Sequence, residues 1–155
     1  MVSQVEYKRK FLVVIDETEE CDRALTFAAW RVKRTGGTVV LMTVIPKPEF
    51  IGLGVEDVLR AEAVEEAERN LDRRMARIKE IGEVRAESVI REGNGAEQIE
   101  RVIDKDHDIA ILVLAASPAV AERLDMPTFS LAKRQLVVLP AALALMLAVS
   151  LCSPR

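Results

Sequence analysis

Short runs of apolar residues, separated by segments with helical spacing, organise the first three quarters of the chain. Three continuous runs are rich in Val, Ile and Leu and cover residues 11–15, 38–45 and 109–114, and a further strand is predicted over residues 86–91, where apolar and polar residues alternate in the first part. Continuous apolar runs of this length are typical of strands that are buried on both faces of a parallel sheet. A fifth strand is predicted over residues 135–140, where Gln135 precedes four apolar residues and Pro140.

Three helices are predicted between these strands, because apolar residues recur there at spacings of three and four. The first begins near Asp16 or Thr18, either of which could cap it, and ends at Gly36 and Gly37. The second covers residues 56–81, ends at Gly82 and pairs Glu65 with Arg69 one turn later. The third covers residues 96–104. The predicted inward-facing residues are Leu25, Ala28, Ala29 and Val32 in the first helix, Val64, Ala67, Leu71, Met75 and Ile78 in the second, and Ile99, Val102 and Ile103 in the third.

Alternation of strands and helices predicts an α/β fold of Rossmann-like type. We expect an open parallel sheet of about five strands with helices on both faces, formed by a single domain that spans residues 1–155. Ligands bind to such sheets at the carboxyl ends of the strands. The segments to inspect are therefore residues 16–18, 44–47, 91–95 and 115–118.

Composition and charge narrow the classes of function. The formal net charge is −3, which argues against a nucleic-acid-binding protein, since such proteins normally present a basic face. The two cysteines, Cys21 and Cys152, are far apart in the sequence and form no Cys-x-x-Cys pair, so neither a disulfide framework nor a zinc site is expected. Reduced thiols and the lack of a signal-peptide pattern at the N-terminus predict a cytoplasmic protein.

Several separated motifs resemble those of the universal stress protein family over about residues 10–116. Residues 13–18, Val-Val-Ile-Asp-Glu-Thr, are similar to the first strand and Asp-x-Ser/Thr turn of that family. Residues 93–99, Gly-Asn-Gly-Ala-Glu-Gln-Ile, are similar to its Gly-x-x-Ala-x-x-Ile turn, and residues 108–113 to its Asp-Leu-Ile-Val strand. The motifs follow one another in the family's order. The resemblance implies a fold that agrees with the one predicted from periodicity.

Some members of that family bind ATP, and the resemblance implies which residues of this chain would contact an adenine nucleotide (ATP or AMP). They are Asp16, Thr18, Val44, Ala115 and Ser117. The ATP-binding members carry a glycine-rich phosphate loop directly after the fourth strand. Here the seven glycines are at positions 36, 37, 52, 54, 82, 93 and 95, so none follows the fourth strand. Pro118 also removes a backbone amide from that segment. Tight ATP binding is therefore not expected.

A divergent apolar tail occupies residues 136–155, with no charged residue between Leu136 and Cys152. One interpretation is an edge strand over residues 136–139 that pairs with its twin in a homodimer, followed by a buried helix over residues 141–151. A membrane span is less consistent with the sequence, because the run is shorter than about 20 residues and contains Pro140. A third interpretation is a replaced, out-of-frame ending. An uncovered apolar tail would aggregate, which favours oligomer formation.

Motifs for catalysis are absent from the sequence: it has no nucleophile elbow, no P-loop and no Gly-x-Gly-x-x-Gly. The single histidine, His107, lies in a charged segment and is interpreted as a solvated loop residue. No metal site is predicted. The leading hypothesis is a non-catalytic stress-response module that dimerises and binds a partner protein. The alternatives are an adenine-nucleotide-binding sensor and a small adenine-nucleotide hydrolase, and the hydrolase would need phosphate-binding residues where the acidic residues 16–20 lie.

Overall fold

A computed structural model describes residues 9–18, 20–47, 54–116 and 135–140. Five strands and three helices alternate in these ranges as the apolar pattern predicts. The strands are β1 (Lys10–Val14), β2 (Thr38–Ile45), β3 (Arg85–Glu92), β4 (Ile109–Ala116) and β5 (Gln135–Pro140). The helices are α1 (Glu20–Thr35), α2 (Val55–Ile81) and α3 (Gly95–Lys105). The predicted helix over residues 141–151 lies outside the described residues.

All strand pairs are parallel, and the strand order is β3-β2-β1-β4-β5. The chain moves outward from β1 to β2 and β3, and then α3 returns it to the other side of β1. The direction of winding therefore reverses between β1 and β4. In open α/β sheets, the carboxyl ends of the strands at such a reversal enclose a crevice where ligands bind.

Two apolar clusters, one on each face of the sheet, confirm that helices cover both faces. The first cluster joins α1 and α2 to the sheet, and it includes Leu25, Ala28, Val32, Leu71 and Ile78. The second cluster joins α3 to the opposite face through Ile99, Val102 and Ile103. Alternate residues of β1 serve the two clusters, with Val13 in the first and Leu12 in the second. Burial of each such side chain stabilises the fold by about 1.5 to 3 kcal/mol.

The two turns that close α1 and open α3 position the neighbouring strands. Gly36 has φ 76° and its amide donates to the carbonyl of Val32 at 2.7 Å, which ends α1 in the left-handed conformation that glycine favours. Asn94 caps α3, because its side-chain oxygen accepts from the amide of Glu97 at 3.3 Å. We predicted a turn at residues 93–95 but not this cap, although Asn followed three residues later by Glu is a recognisable signature.

Candidate functional site

The carboxyl ends of β1, β2 and β4 bring the predicted site residues to one edge of the sheet. Val14 is paired with Met42 on one side and with Leu114 on the other. The amide of Ile15 donates to the carbonyl of Met42 at 2.7 Å, so the pairing continues past the end of β1. By this register Asp16 lies level with Val44 and one residue beyond Ala115. The crevice at the switch point is therefore bordered by three of the residues that the sequence nominated.

Asp16 and Thr18 form a compact turn directly after β1. The backbone amide of Thr18 donates to Oδ1 of Asp16 at 2.9 Å, and the hydroxyl of Thr18 donates to the same oxygen at 2.5 Å. This is an Asx-type turn, in which a side-chain oxygen replaces a backbone acceptor. The hydroxyl of Thr18, one of two predicted caps of α1, thus bonds to Asp16. Both of these bonds go to Oδ1, and the Asp16 side chain is exposed to solvent.

A nearly buried arginine on α2 stabilises the turn formed by Asp16 and Thr18. The side chain of Arg74 is 9% exposed and its guanidinium forms an ion pair with Asp22 of α1. It also donates to the backbone carbonyl of Asp16 at 3.4 Å and to the side-chain oxygen of Asn70 at 3.4 Å. Because one cation contacts the β1–α1 turn, α1 and α2, it fixes the backbone from which the Asp16 carboxylate projects.

The contact between Arg74 and the Asp16 turn was not predicted from the sequence, although helical spacing indicates that Arg74 faces inward. Arg74 lies three residues after Leu71 and four before Ile78, both of which are buried, so helical spacing places it on the inward face of α2. An arginine at such a position needs a buried anion or carbonyl as its partner. Asp22 was not identified as that partner because it lies in another helix, 52 residues earlier.

Val44 and Ala115 lie on strands at the crevice, and Ser117 is outside the described residues. Val44 is partly buried and packs against the apolar cluster on the α3 face. It therefore offers an apolar surface at the carboxyl end of β2. Ala115 is part of β4, where it is paired with Leu139 of β5. The structure thus places these two predicted contact residues on the strands that flank β1, and it leaves the role of Ser117 as a prediction.

An open cleft of about 600 Å³ extends from the carboxyl ends of β2 and β3 to the start of α3. Its charges are mixed. Lys47 and Arg101 are opposed by Glu92 and Glu97, and Glu92 is paired with Arg60 of α2 at 2.6 Å. A phosphate group would meet acidic as well as basic side chains here, so the cleft has no strong preference for anions. Its lining residues are Pro46, Lys47, Glu92, Gly93, Asn94, Glu97, Gln98 and Arg101.

The thiol of Cys21, in the first turn of α1, is buried behind the Asp16 turn. Burial raises the pKa of Cys21, because a thiolate would lose its hydration there. The sulfur lies 4.0 Å from the carbonyl oxygen of Val14. Cys21 therefore packs as an unactivated thiol in the apolar core.

His107 is exposed in the turn that precedes β4. This turn lies at the amino end of the strands, opposite the edge at which Asp16 lies. A general base at that end could not reach a ligand in the crevice. Among the described residues, no group of three or more His, Cys, Asp or Glu side chains could hold a metal ion. In the same part of the chain, no helix has the length and apolar character that a membrane span requires.

Comparison with known proteins identifies the family. The model of the universal stress protein family matches residues 8–125, which is more than half of the chain. None of the curated proteins is a significant match. A solved structure of a universal stress protein family member from Burkholderia pseudomallei is 24% identical, with a TM-score of 0.69, and the match covers 88% of this chain and 98% of that one.

Two further similar structures were solved with nucleotides. A universal stress protein in complex with cAMP is 17% identical, with a TM-score of 0.61, over 85% of this chain and 95% of that one. The universal stress protein from Archaeoglobus fulgidus in complex with dAMP is 17% identical, with a TM-score of 0.58, over 85% of this chain and 97% of that one. At these identities the structures show a shared fold. Together with the family model, they establish that this chain belongs to the universal stress protein family.

Proposed function

We propose that this protein is a non-catalytic module of the stress response that acts in the cytoplasm by forming a homodimer and binding a partner protein. Family membership supports the link to stress. The placement of His107 at the amino end of the sheet, away from the crevice, supports a role without catalysis. The proposal of a homodimer is supported by a difference between the two edge strands of the sheet.

The edge formed by β3 carries four charged residues among eight, with the sequence Arg-Ala-Glu-Ser-Val-Ile-Arg-Glu. Charged side chains on an edge strand prevent pairing with another sheet. The edge formed by β5 has the sequence Gln-Leu-Val-Val-Leu-Pro and carries no charge. Among the described strands, β5 is paired with β4 alone, which leaves a second row of backbone groups for a partner. An uncharged edge of this kind favours pairing with the same strand of a second copy.

Sedimentation of the full-length protein tests the dimer. We expect a stable dimer in the wild type and a monomer in Val137→Lys or Val138→Lys, each of which introduces a charge into β5. Ser88→Lys, on the opposite edge strand, is the matched control and should leave the dimer intact. Circular dichroism confirms that each variant is folded. A monomeric wild type, or a dimer that only Ser88→Lys dissociates, would contradict the proposal.

A second candidate function is weak binding of an adenine nucleotide at the switch point. The observation that favours it is the position of the exposed Asp16 carboxylate level with the apolar Val44, which together offer a hydroxyl acceptor and a surface for a base. The similar structures with cAMP and dAMP also motivate it. Because no glycine follows β4 in the sequence, we propose that the contacts go to the nucleoside and that phosphates add little affinity.

Isothermal titration with AMP and ATP tests this second candidate. We expect similar, weak affinities for the two nucleotides and a loss of about tenfold in Asp16→Ala, because a buried ribose hydroxyl would lose its acceptor. Asp104→Asn, at an exposed position of α3, should bind as the wild type does. Much tighter binding of ATP than of AMP would show phosphate contacts and contradict the nucleoside-only account. Binding of neither nucleotide would remove this candidate and leave the dimer proposal untouched.

A further inference from the structure

A groove between α1 and α2 exposes the only tryptophan of the chain. The Trp30 groove, as we name it, has a volume of about 450 Å³ and is lined by Thr26, Trp30, Arg77, Glu80 and Ile81. Trp30 is 49% exposed, and it is the most exposed of the aromatic residues that the structure describes. An indole half in water is unusual on a surface without a binding role, since tryptophan contributes strongly to interfaces when it is covered.

The indole ring of Trp30 is held in position by Lys33. The ammonium group of Lys33 lies 4.8 Å from the ring centroid, which is within range of a cation–π contact. The same ammonium donates to the carbonyl of Ile81, at the end of α2, at 2.8 Å. Lys33 thus links the ring to the end of α2. This contact reduces the conformational entropy that the ring would lose when a partner covers it.

Arginines without a carboxylate partner surround the groove. Arg77 lies in its wall, Arg73 lies one turn earlier on α2, and Arg34 lies one turn after Trp30 on α1. All three are exposed, and none forms an ion pair with another residue in the described part of the chain. Four other described arginines form ion pairs: Arg60 with Glu92, Arg69 with Glu65 and Glu66, Arg74 with Asp22, and Arg101 with Glu97. Arg31 and Arg85 are also exposed without an ion pair among the described residues.

The groove is therefore a local basic surface on a protein whose net charge is −3. Within the lining, Arg77 is matched by Glu80, and the excess of positive charge comes from the exposed Arg34 and Arg73, which flank the groove by one helical turn. The groove lies near the carboxyl ends of the two helices, and hence toward the amino ends of the strands. It is remote from the Asp16 crevice, and it is on the outer surface of the α1 and α2 layer.

We propose that the Trp30 groove binds an acidic segment of a partner protein, with an apolar side chain of that segment packed on the indole and its carboxylates paired with Arg34, Arg73 and Arg77. This inference rests on the proposed partner-binding function and names the chemistry of the partner. Charge complementarity selects the occupant, because arginines pair well with carboxylates in a bidentate manner. The apolar contact with Trp30 adds the affinity that exposed ion pairs alone do not give.

The fluorescence of Trp30 reports on the groove directly, since the chain has one tryptophan. The probe is a synthetic peptide of glutamates with one central leucine, added to the full-length protein. We expect a saturable change in the emission of Trp30 that weakens as salt is raised, because salt screens exposed charge pairs. The same peptide with lysine in place of each glutamate is the control and should cause no saturable change. Equal responses to both peptides, or no response to the acidic one, would overturn the proposal.

Charge reversal locates the contact. Arg77→Glu replaces attraction by repulsion and should weaken binding of the acidic peptide at least about tenfold. Arg101→Glu reverses an exposed charge of α3, on the opposite face of the sheet, and should bind the peptide as the wild type does. A thermal denaturation profile like that of the wild type shows that each variant is folded. Equal losses of affinity in Arg77→Glu and Arg101→Glu would show that the peptide responds only to the net charge of the protein, and this result would overturn the proposal.

Sedimentation of Arg77→Glu separates this inference from the dimer. We expect the variant to keep the oligomeric state of the wild type, because the lining of the groove comes from α1 and α2 and includes no residue of β5. A lower mass would mean that a second copy of the chain occupies the groove, and it would overturn the assignment to a different partner. Conversely, a monomeric wild type that still binds the acidic peptide would contradict the dimer proposal alone.

Discussion

The guanidinium of Arg74 on α2 is paired with the carboxylate of Asp22 on α1, and the two partners are unequally buried. The side chain of Arg74 is 9% exposed, whereas that of Asp22 is 44% exposed. Removal of the acid would leave a buried cation without its partner, but removal of the arginine would leave a carboxylate that water can still reach. The cost of breaking the pair should therefore depend on which residue is changed.

We predict that Asp22→Ala lowers the free energy of unfolding by about 2 to 3 kcal/mol, since the buried guanidinium keeps its desolvation cost. Arg74→Met retains much of the apolar volume and should cost about 1 kcal/mol. The double variant should resemble Arg74→Met alone, because Asp22 then has no cation to stabilise. Urea unfolding of the three proteins measures these values. A smaller loss in Asp22→Ala than in Arg74→Met would contradict the asymmetry.

Gly36 and Gly37 give a second prediction, since they are adjacent and both have positive φ angles. A Cβ atom at Gly37, where φ is 120°, would lie 2.3 Å from the backbone oxygen of Arg9. That oxygen also accepts from the amide of Thr38 at 3.0 Å, so it cannot move freely. A Cβ atom at Gly36, where φ is 76°, would meet nothing within 4 Å.

Gly37→Ala should therefore lower the free energy of unfolding by at least about 2 kcal/mol, through backbone strain and displacement of β1 from β2. Gly36→Ala is its matched control and should cost only about 1 kcal/mol, which is the strain of the left-handed conformation alone. Thermal or urea unfolding compares the two. Similar losses for both variants would show that the close approach at Gly37 is relieved without cost.

Lys10 gives a prediction on pH. Its ammonium lies 2.9 Å from Asp106 and 3.1 Å from Glu87, and it joins the start of β1 to the end of α3 and to β3. The hydrogen bond to Asp106 raises the pKa of Lys10 above its ordinary value of 10.5, although partial burial opposes this. A group whose pKa is raised by folding contributes stability that is complete below its unfolded pKa. That contribution is lost as pH rises through the folded pKa.

Lys10→Met should thus be less stable than the wild type by about 1 kcal/mol between roughly pH 6 and pH 9, and the difference should shrink above about pH 10.5. Urea unfolding across this range measures the difference. Lys79→Met, at an exposed position of α2, is the control and should show little change at any pH. A difference between Lys10→Met and the wild type that persists unchanged above about pH 11 would point to lost packing instead of lost charge.

The strands and helices could be predicted because each buried element carries its own local signal. Residues 38–45 form a continuous apolar run, and Thr38–Ile45 is the strand observed. Leu25, Ala28, Ala29 and Val32 recur at helical spacing, and all four are buried in α1. The predicted pairing of Glu65 with Arg69 is also confirmed, at 2.8 Å, since both lie within one turn of the same helix.

Only those residues of the candidate site that have a local sequence signal could be predicted. Asp16 and Val44 were nominated because each follows a strand, and parallel pairing brings such positions to one edge. Arg74 was missed because its partners come from other elements, and a single sequence does not give their distance. The Trp30 groove was missed for the same reason. Trp30 lies outside the predicted inward-facing residues of α1, but the groove forms only where α1 meets Arg77 and Ile81 of α2.

The unequal edges of the sheet also limit how large an assembly can become. If two copies join through β5, the combined sheet has β3 at each of its outer ends, and both ends carry the charged pattern of Arg85, Glu87, Arg91 and Glu92. No uncharged edge is then left for a third copy to extend. Such an assembly would therefore close at two copies through its sheet edges, because each molecule carries a charged edge strand on the opposite side of the sheet.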